Sequence, residues 1–205
     1  MSYRVAINGY GRIGRCVLRA FYESTNYADL RIVAINDLAD IGNLAHLTRY
    51  DSTHGRFLGS VEECAEGPEK SLIVDGDKIR VFNQQDIRDL PWGDLEIDLV
   101  MECSGAFTDR ETAQLHIANG AGKVLFSQPA ESDVDATLVY GINHTSLPKD
   151  AEVISNASCT TNCLAPIADV LHRTCGIKQG FMTTIHSYTG DQRLLDAEHN
   201  DRYRA

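Results

Sequence analysis

The residue with most chemical promise is Cys159, in the stretch Ser155-Asn156-Ala157-Ser158-Cys159-Thr160-Thr161-Asn162-Cys163. Here an apolar, strand-like run, Val153-Ile154, gives way to a helix-like run from Leu164. Cys159 therefore falls where unpaired backbone N–H groups and the positive end of a helix dipole favour an anion, and its thiolate should form at lower pH than that of a free cysteine. That is the chemistry of a nucleophile. Cys163, at i+4, is expected on the packed side of the helix rather than at the mouth of the turn. The same stretch also reads as two ordinary core cysteines, since free cysteine often behaves as a small hydrophobe. Downstream, Phe181 to Thr189 alternates like a strand and carries His186 at its end, a position that suits a structural histidine as well as a catalytic one.

A second constellation lies at the other end of the chain. Asn8-Gly9-Tyr10-Gly11-Arg12-Ile13-Gly14 follows an apolar strand, Tyr3 to Ile7, and opens a helix with Ile13, Val17, Leu18 and Phe21 at helical spacing. A second apolar strand, Leu30 to Ile35, ends at Asn36-Asp37. A glycine turn so flanked, with an acid at the tip of the next strand, is the pattern of a dinucleotide site. Gly9 permits the tight turn, Gly11 lets a pyrophosphate approach the backbone, and Gly14 lets the helix pack closely on the strand. The phosphates would meet the N–H groups around Arg12 and Ile13, and Asp37 would accept hydrogen bonds from the adenosine ribose. A 2′-phosphate would be repelled by Asp37 and would find no cation in Leu38-Ala39, so NAD is expected rather than NADP. The competing reading makes Asp37 only a cap for a helix over Ala39 to Leu47.

The elements that must position these residues read as alternating strands and helices. Leu72-Ile73-Val74, the Asp75-Gly76-Asp77 turn and Ile79 to Phe82 form a predicted β-hairpin that looks like an insertion. Leu99 to Met101, a helix over Asp109 to Asn119, Lys123 to Phe126, Thr137 to Tyr140 and Glu152 to Ile154 then extend a doubly wound sheet. The nucleophile helix is expected to stop near Gly176. In such sheets ligands bind outside the carboxyl ends of the strands, and Asp37, Ser104, Ser127 and Cys159 all follow predicted strand ends. They should therefore gather along one edge.

Composition narrows the partners. The 205 residues, 43% hydrophobic and 23% charged, are those of an ordinary soluble domain or a domain and part of another. A net charge of -10 argues against nucleic acid or an anionic membrane as partner. There is no membrane-length apolar run and no signal-like start, so a cytoplasmic location is expected. Six cysteines at irregular spacing are expected to be free thiols, and no metal site is expected because no second Cys or His pair stands at ligand spacing.

Four motifs in order carry a family likeness: Asn8 to Arg15, Tyr50-Asp51-Ser52-Thr53-His54-Gly55-Arg56-Phe57, the Cys159 stretch, and Thr183-Thr184-Ile185-His186-Ser187. Together they resemble the glyceraldehyde-3-phosphate dehydrogenase family over essentially the whole chain. The run Val124 to Pro129, the run Asp135 to Asn143, and Leu47 to Tyr50 resemble its erythrose-4-phosphate dehydrogenase branch, whereas Ser187 to Arg193 resembles the glycolytic branch. The resemblance implies an α/β fold: a doubly wound (Rossmann) NAD-binding domain over residues 1–158, then the start of an α+β catalytic domain over 159–205. It implies Cys159 as nucleophile with His186 as its acid–base partner. Ser158, Thr160, Thr189 and Arg204 would lie around substrate or inorganic phosphate, although the family's usual Leu-Arg-Arg is here Arg202-Tyr203-Arg204. Gly9, Gly11, Arg12, Ile13, Gly14, Asp37, Arg80, Ser104 and Ser127 would surround NAD.

The implied reaction is NAD-dependent oxidation of a phosphorylated aldose aldehyde, erythrose 4-phosphate to 4-phosphoerythronate, through a thiohemiacetal and a thioester on Cys159. Glyceraldehyde 3-phosphate with phosphate as acyl acceptor is the alternative; a non-catalytic NAD-binding or thiol-sensing module is another. The resemblance further implies a homotetramer and, for the four-carbon substrate, a place in pyridoxine biosynthesis. Family members are longer, so the chain is expected to be C-terminally truncated, with apolar surface around Phe181, Met182 and Ile185 left uncovered.

Overall fold

The computed structural model describes residues 2–187 apart from 25, 66 and 68. In chain order the elements are β1 (Tyr3–Asn8), α1 (Arg12–Tyr22), β2 (Leu30–Asn36), α2 (Ile41–Arg49), β3 (Tyr50–Asp51), β4 (Gly55–Arg56), β5 (Val61–Cys64), β6 (Ser71–Val74) and β7 (Asp77–Phe82). There follow β8 (Leu99–Glu102), α3 (Arg110–Ala118), β9 (Lys123–Phe126), β10 (Ala136–Thr137), β11 (Val153–Ser155) and α4 (Cys159–Cys175), with 3₁₀ turns at Ile87–Asp89 and His144–Ser146.

Among the described residues nine strands form one sheet in the order β10-β11-β9-β8-β1-β2-β7-β6-β5. The strands from β10 across to β7 are parallel, while β6 and β5 close the far edge antiparallel. The chain winds from β1 to β2 in one direction and returns to β8 on the other side of β1. The order reverses there, so a crevice opens at the carboxyl ends of β1 and β8.

Alternation along the strands sends side chains to two cores. Val5 and Ile7 of β1 join Leu18 of α1, Leu44 of α2 and Leu72, Val74 and Ile79 on one face. Ala6 between them joins Val100, Ala113, Val124, Phe126, Val153 and Trp92 on the other. A register shift between β1 and β2, after Val5, pairs Val5 with Ile32 and Ala6 with Ala34, which keeps Ile32 and Ile35 in the first core.

Several expectations need correction. The predicted hairpin is present, but it is no insertion: β7 pairs parallel with β2, and the pair is an arm of the main sheet because Leu72, Val74 and Ile79 are core residues. The strand expected over Thr137 to Tyr140 is only Ala136–Thr137. Asn143 ends it, its side chain accepting from the Val139 N–H at 2.7 Å and donating to the Thr137 carbonyl at 3.0 Å. The helix after Asp37 is Ile41–Arg49, and its cap is Asp40, which accepts from the Asn43 N–H at 3.0 Å. The strand expected from Phe181 is not formed over 181–187; an isolated strand has no ladder partner to satisfy its backbone. Residues 188 and 189 of that segment lie outside the described residues. No helix among the described residues is long and apolar enough to cross a membrane.

Candidate active site

A strand, a strained turn and a helix start hold Cys159. β11 ends at Ser155, whose hydroxyl donates to the Gln128 carbonyl at 2.9 Å and accepts from the Ala157 N–H at 3.1 Å. Ala157 takes the left-handed conformation at φ 57°, unusual for a side chain with a Cβ, and turns the chain sharply into α4. Ser158 is the N-cap: its hydroxyl accepts from the Thr161 N–H at 2.9 Å. Asn162 braces the turn from below, donating to the carbonyls of Asn156 at 2.7 Å and Ser158 at 3.0 Å. Cys159 is thus the first residue of α4 and is exposed.

The Cys159 Sγ lies 3.0 Å from His186 Nε2. On the other side of the ring Nδ1 meets the Ser187 carbonyl, which can only accept, so Nδ1 carries the proton and Nε2 is left to receive one from sulfur. His186 is the largest cause holding the Cys159 thiol below the ordinary cysteine value, and the Thr160 backbone N–H adds to it. Transfer of the thiol proton to Nε2 gives a thiolate beside an imidazolium at a helix N-terminus. Cys163 corrects the expectation for it: it is exposed, and no residue of α4 is buried.

At the other turn, Gly9 has φ +87°, and a Cβ there would lie 2.4 Å from the Ser104 Cα. A Cβ at Gly14 would lie 2.4 Å from the Gly9 carbonyl oxygen. Gly11, in contrast, would meet nothing within 4 Å. It is also the N-cap of α1, with no side-chain cap bond and no acid in the first turn, so the helix start at Arg12 and Ile13 presents an open, electropositive face. Such a cradle fits a pyrophosphate. Asp37, just past β2, accepts from the Tyr10 N–H at 2.7 Å through one oxygen and from the Ala39 N–H at 2.9 Å through the other. Those bonds aim the carboxylate and leave each oxygen a further lone pair, which fits a ribose diol. It does not cap α2.

The structure divides the remaining residues. Ser104 and Ser127 follow β8 and β9 at the same carboxyl edge as Asp37 and Cys159. Ser104 donates to Glu102 from both its N–H and its hydroxyl, and the Ser127 hydroxyl donates to Gln128 at 2.8 Å. The Arg12 guanidinium is engaged by Asp51, so it is the backbone of Arg12 that faces the turn. Arg80 lies within β7, pairs with Glu69 at 3.0 Å and covers the Phe82 ring. Thr160 lies beside Cys159, while Thr189 and Arg204 lie outside the described residues. Among the described residues no group of three or more His, Cys, Asp or Glu could hold a metal ion.

Two features were missed from sequence. A hollow of about 480 Å³ lined by Gln85, Ile87, Arg88, Phe107 and Leu115, among others, opens between the loop after β7 and α3. Its two walls, Gln85 to Arg88 and Phe107 to Leu115, are well separated in sequence, and no local pattern joins them. The second is a buried polar chain of Asn36, Asn8, Glu102 and His116; a polar residue at the end of each strand was the available signal.

Residues 3–110 match a family model described as glyceraldehyde 3-phosphate dehydrogenase, NAD binding domain, and residues 158–205 match the C-terminal domain of the same family. Across all of its length the chain is 55% identical to a plasmid-borne glyceraldehyde-3-phosphate dehydrogenase of Cupriavidus necator, 54% to the chromosomal protein of that organism, and 55% to a glyceraldehyde-3-phosphate dehydrogenase of Pseudomonas aeruginosa. It spans 60% of the length of each of these relatives.

Proposed function

The chain belongs to the glyceraldehyde 3-phosphate dehydrogenase family and carries its NAD-binding domain, and from that premise we propose that it serves NAD-dependent oxidation of a phosphorylated aldehyde through Cys159. The observation that carries the reading is the 3.0 Å approach of Cys159 Sγ to His186 Nε2 at the start of α4. We take residues 1–158 as the cofactor half and 159–205 as the beginning of the catalytic half.

In the reaction His186 takes the thiol proton and the Cys159 thiolate adds to the aldehyde carbon, giving a thiohemiacetal. The backbone N–H of Cys159 and the protonated His186 stabilise its oxyanion. Held at the Gly9 to Gly14 turn and Asp37, NAD would supply the hydride acceptor for the same carbon. His186 first gives its proton to that oxyanion and then, as the hydride leaves, takes it back from the hydroxyl, so that Cys159 is left as a thioester. An incoming acyl acceptor then displaces the Cys159 thiolate; phosphate yields an acyl phosphate and water an acid. Ser158 and Thr160, with Thr189 and Arg204, are the groups we assign to substrate or inorganic phosphate. Gly9, Gly11, the N–H groups of Arg12 and Ile13, Gly14, Asp37 and the Ser104 and Ser127 turns are those we assign to NAD. Arg80, paired with Glu69, is the least engaged with that edge.

The names of the relatives support glyceraldehyde 3-phosphate as the aldehyde. Erythrose 4-phosphate, and with it pyridoxine biosynthesis, is the second reading, supported by the wording of Val124 to Pro129 and Asp135 to Asn143. A cytoplasmic homotetramer is the assembly the family suggests. Incubation with NAD and either aldehyde, with and without phosphate, while NADH is followed, is the test. We expect phosphate-dependent NADH from the triose. NADH from the tetrose without need of phosphate selects the second reading, and NAD binding with no NADH from either aldehyde overturns catalysis by this chain.

A further inference from the structure

Three neighbouring strands of the sheet end in a buried polar residue: Asn8 in β1, Asn36 in β2 and Glu102 in β8. They stand in register, Asn8 opposite both Asn36 and Glu102. The reaction above uses none of them. A carboxylate at 0% exposure, such as Glu102, is costly unless every acceptor site is matched. Here it is. One oxygen of Glu102 accepts from the Ser104 N–H at 2.8 Å and from the Ser104 hydroxyl. The other accepts from Asn8 Nδ2 and, at 3.2 Å, from His116 Nε2.

Backbone groups, or groups with a single role, fix the orientation of each donor. Asn36 accepts from the Gln84 N–H at 2.8 Å and donates to the Gln84 carbonyl at 2.9 Å, so its amide cannot be reversed. Its Nδ2 also donates to Asn8 Oδ1 at 2.8 Å, which turns Asn8 Nδ2 toward Glu102. From the far side, Trp92 Nε1 can only donate and reaches His116 Nδ1 at 2.9 Å, so Nε2 of that ring carries the proton and aims it at Glu102. A carboxylate satisfies all of these donors. A glutamine in either orientation would set its NH₂ against a donor.

The chain of bonds ends on the loops of the crevice. Ser104, held by Glu102, is the surface on which the Gly9 turn rests, 2.4 Å from where a Cβ would stand. Gln84, held by Asn36, adjoins Asn83, whose side chain donates to the Asp37 carbonyl at 2.9 Å. We propose that Glu102 is a positioning residue for NAD: with Asn8, Asn36 and His116 it holds the Gly9 turn, the Ser104 turn and the Gln84 loop in binding geometry before the cofactor arrives. The ordering entropy of those loops is then met in folding rather than in binding. This inference rests on the reading of the crevice as an NAD site.

The test compares the wild-type chain, Glu102→Gln and a control, Ile97→Ala, which removes volume from the second core at the amino end of β8. Melting, amide exchange and calorimetric titration with NAD are measured on each. We expect the Ser104 amide of the wild type to exchange slowly without NAD. Glu102→Gln should release that amide and weaken NAD about tenfold, the scale of a lost charge-assisted hydrogen bond. Ile97→Ala should keep affinity within about twofold even where it lowers the melting temperature as much. Equal loss of affinity in the two variants, or unchanged affinity in Glu102→Gln, overturns the proposal alone. A wild-type chain that does not bind NAD overturns the cofactor reading with it. Should Glu102→Gln fail to fold, the wild-type exchange decides: a Ser104 amide that exchanges at an open-loop rate without NAD overturns preorganisation.

Discussion

Two cysteines follow strand ends on the carboxyl edge, and their surroundings set opposite chemistry. Cys103, after β8, is buried, and burial pushes its thiol up to about 12, with a hydrogen bond to Ser127 only partly offsetting it. Cys159, after β11, is exposed, and the bond to His186 draws its thiol down. A lowered value means that more of the reactive thiolate is present at neutral pH than in a free cysteine, and that it is lost as pH falls through that value. Alkylation of Cys159 should therefore have a midpoint below the roughly 8.5 of a free thiol. His186→Asn removes the largest lowering influence, so it should raise that midpoint and slow the reaction at pH 7 in proportion to the thiolate remaining. Cys103 should stay unmodified until the chain unfolds. Mass-resolved alkylation over a pH series reads all six cysteines; one shared midpoint would contradict activation by His186. The position of Cys159 after a strand and before a helix was readable from sequence. Its 3.0 Å partner 27 residues away was legible only through the family resemblance, since no local period connects a helix start to a distant histidine.

At the scale of the element, the glycine turn separates shape from binding. Gly9 and Gly14 are forced by close backbone contacts, with a Cβ at either meeting backbone at 2.4 Å, whereas a Cβ at Gly11 meets nothing. Gly9→Ala should cost about 3 kcal/mol or more, combining a left-handed backbone with a clash against Ser104. Gly11→Ala, at φ -74° as an N-cap, should cost about 1 kcal/mol or less. It should nevertheless weaken NAD roughly tenfold or more by standing where the pyrophosphate approaches. Urea melts and NAD titrations of both variants check this, and a Gly11→Ala chain that binds NAD as well as the wild type would remove Gly11 from the cradle. Strand, turn and helix were legible here because spacing and the glycines encode them locally. The Thr137 strand was misjudged because one side chain, Asn143, takes its ladder groups, and β7 was misplaced because pairing with β2 is a tertiary choice.

At the scale of the whole molecule, charge and apolar surface act against each other. The helix-like run from Leu164 was legible as a helix, but a helix read from sequence does not state what covers its apolar side chains. Leu164, Ile167, Val170 and Leu171 are 40 to 56% exposed, and Phe181 and Ile185 are fully so. A patch of this kind favours association, while a net charge of -10 opposes it at long range. Salt discriminates between the two, because at about 0.15 M the repulsion is screened beyond roughly 8 Å and the apolar contact is not. Association measured by sedimentation should therefore rise with ionic strength as well as with concentration. Ile167→Lys with Val170→Lys should reduce it at every salt concentration and leave the melting temperature of the dispersed chain nearly unchanged, since neither side chain is buried in a core. If association instead falls as salt is added, ion pairs rather than this face drive it. A chain that stays monomeric throughout would show that the apolar face is too small to overcome the charge.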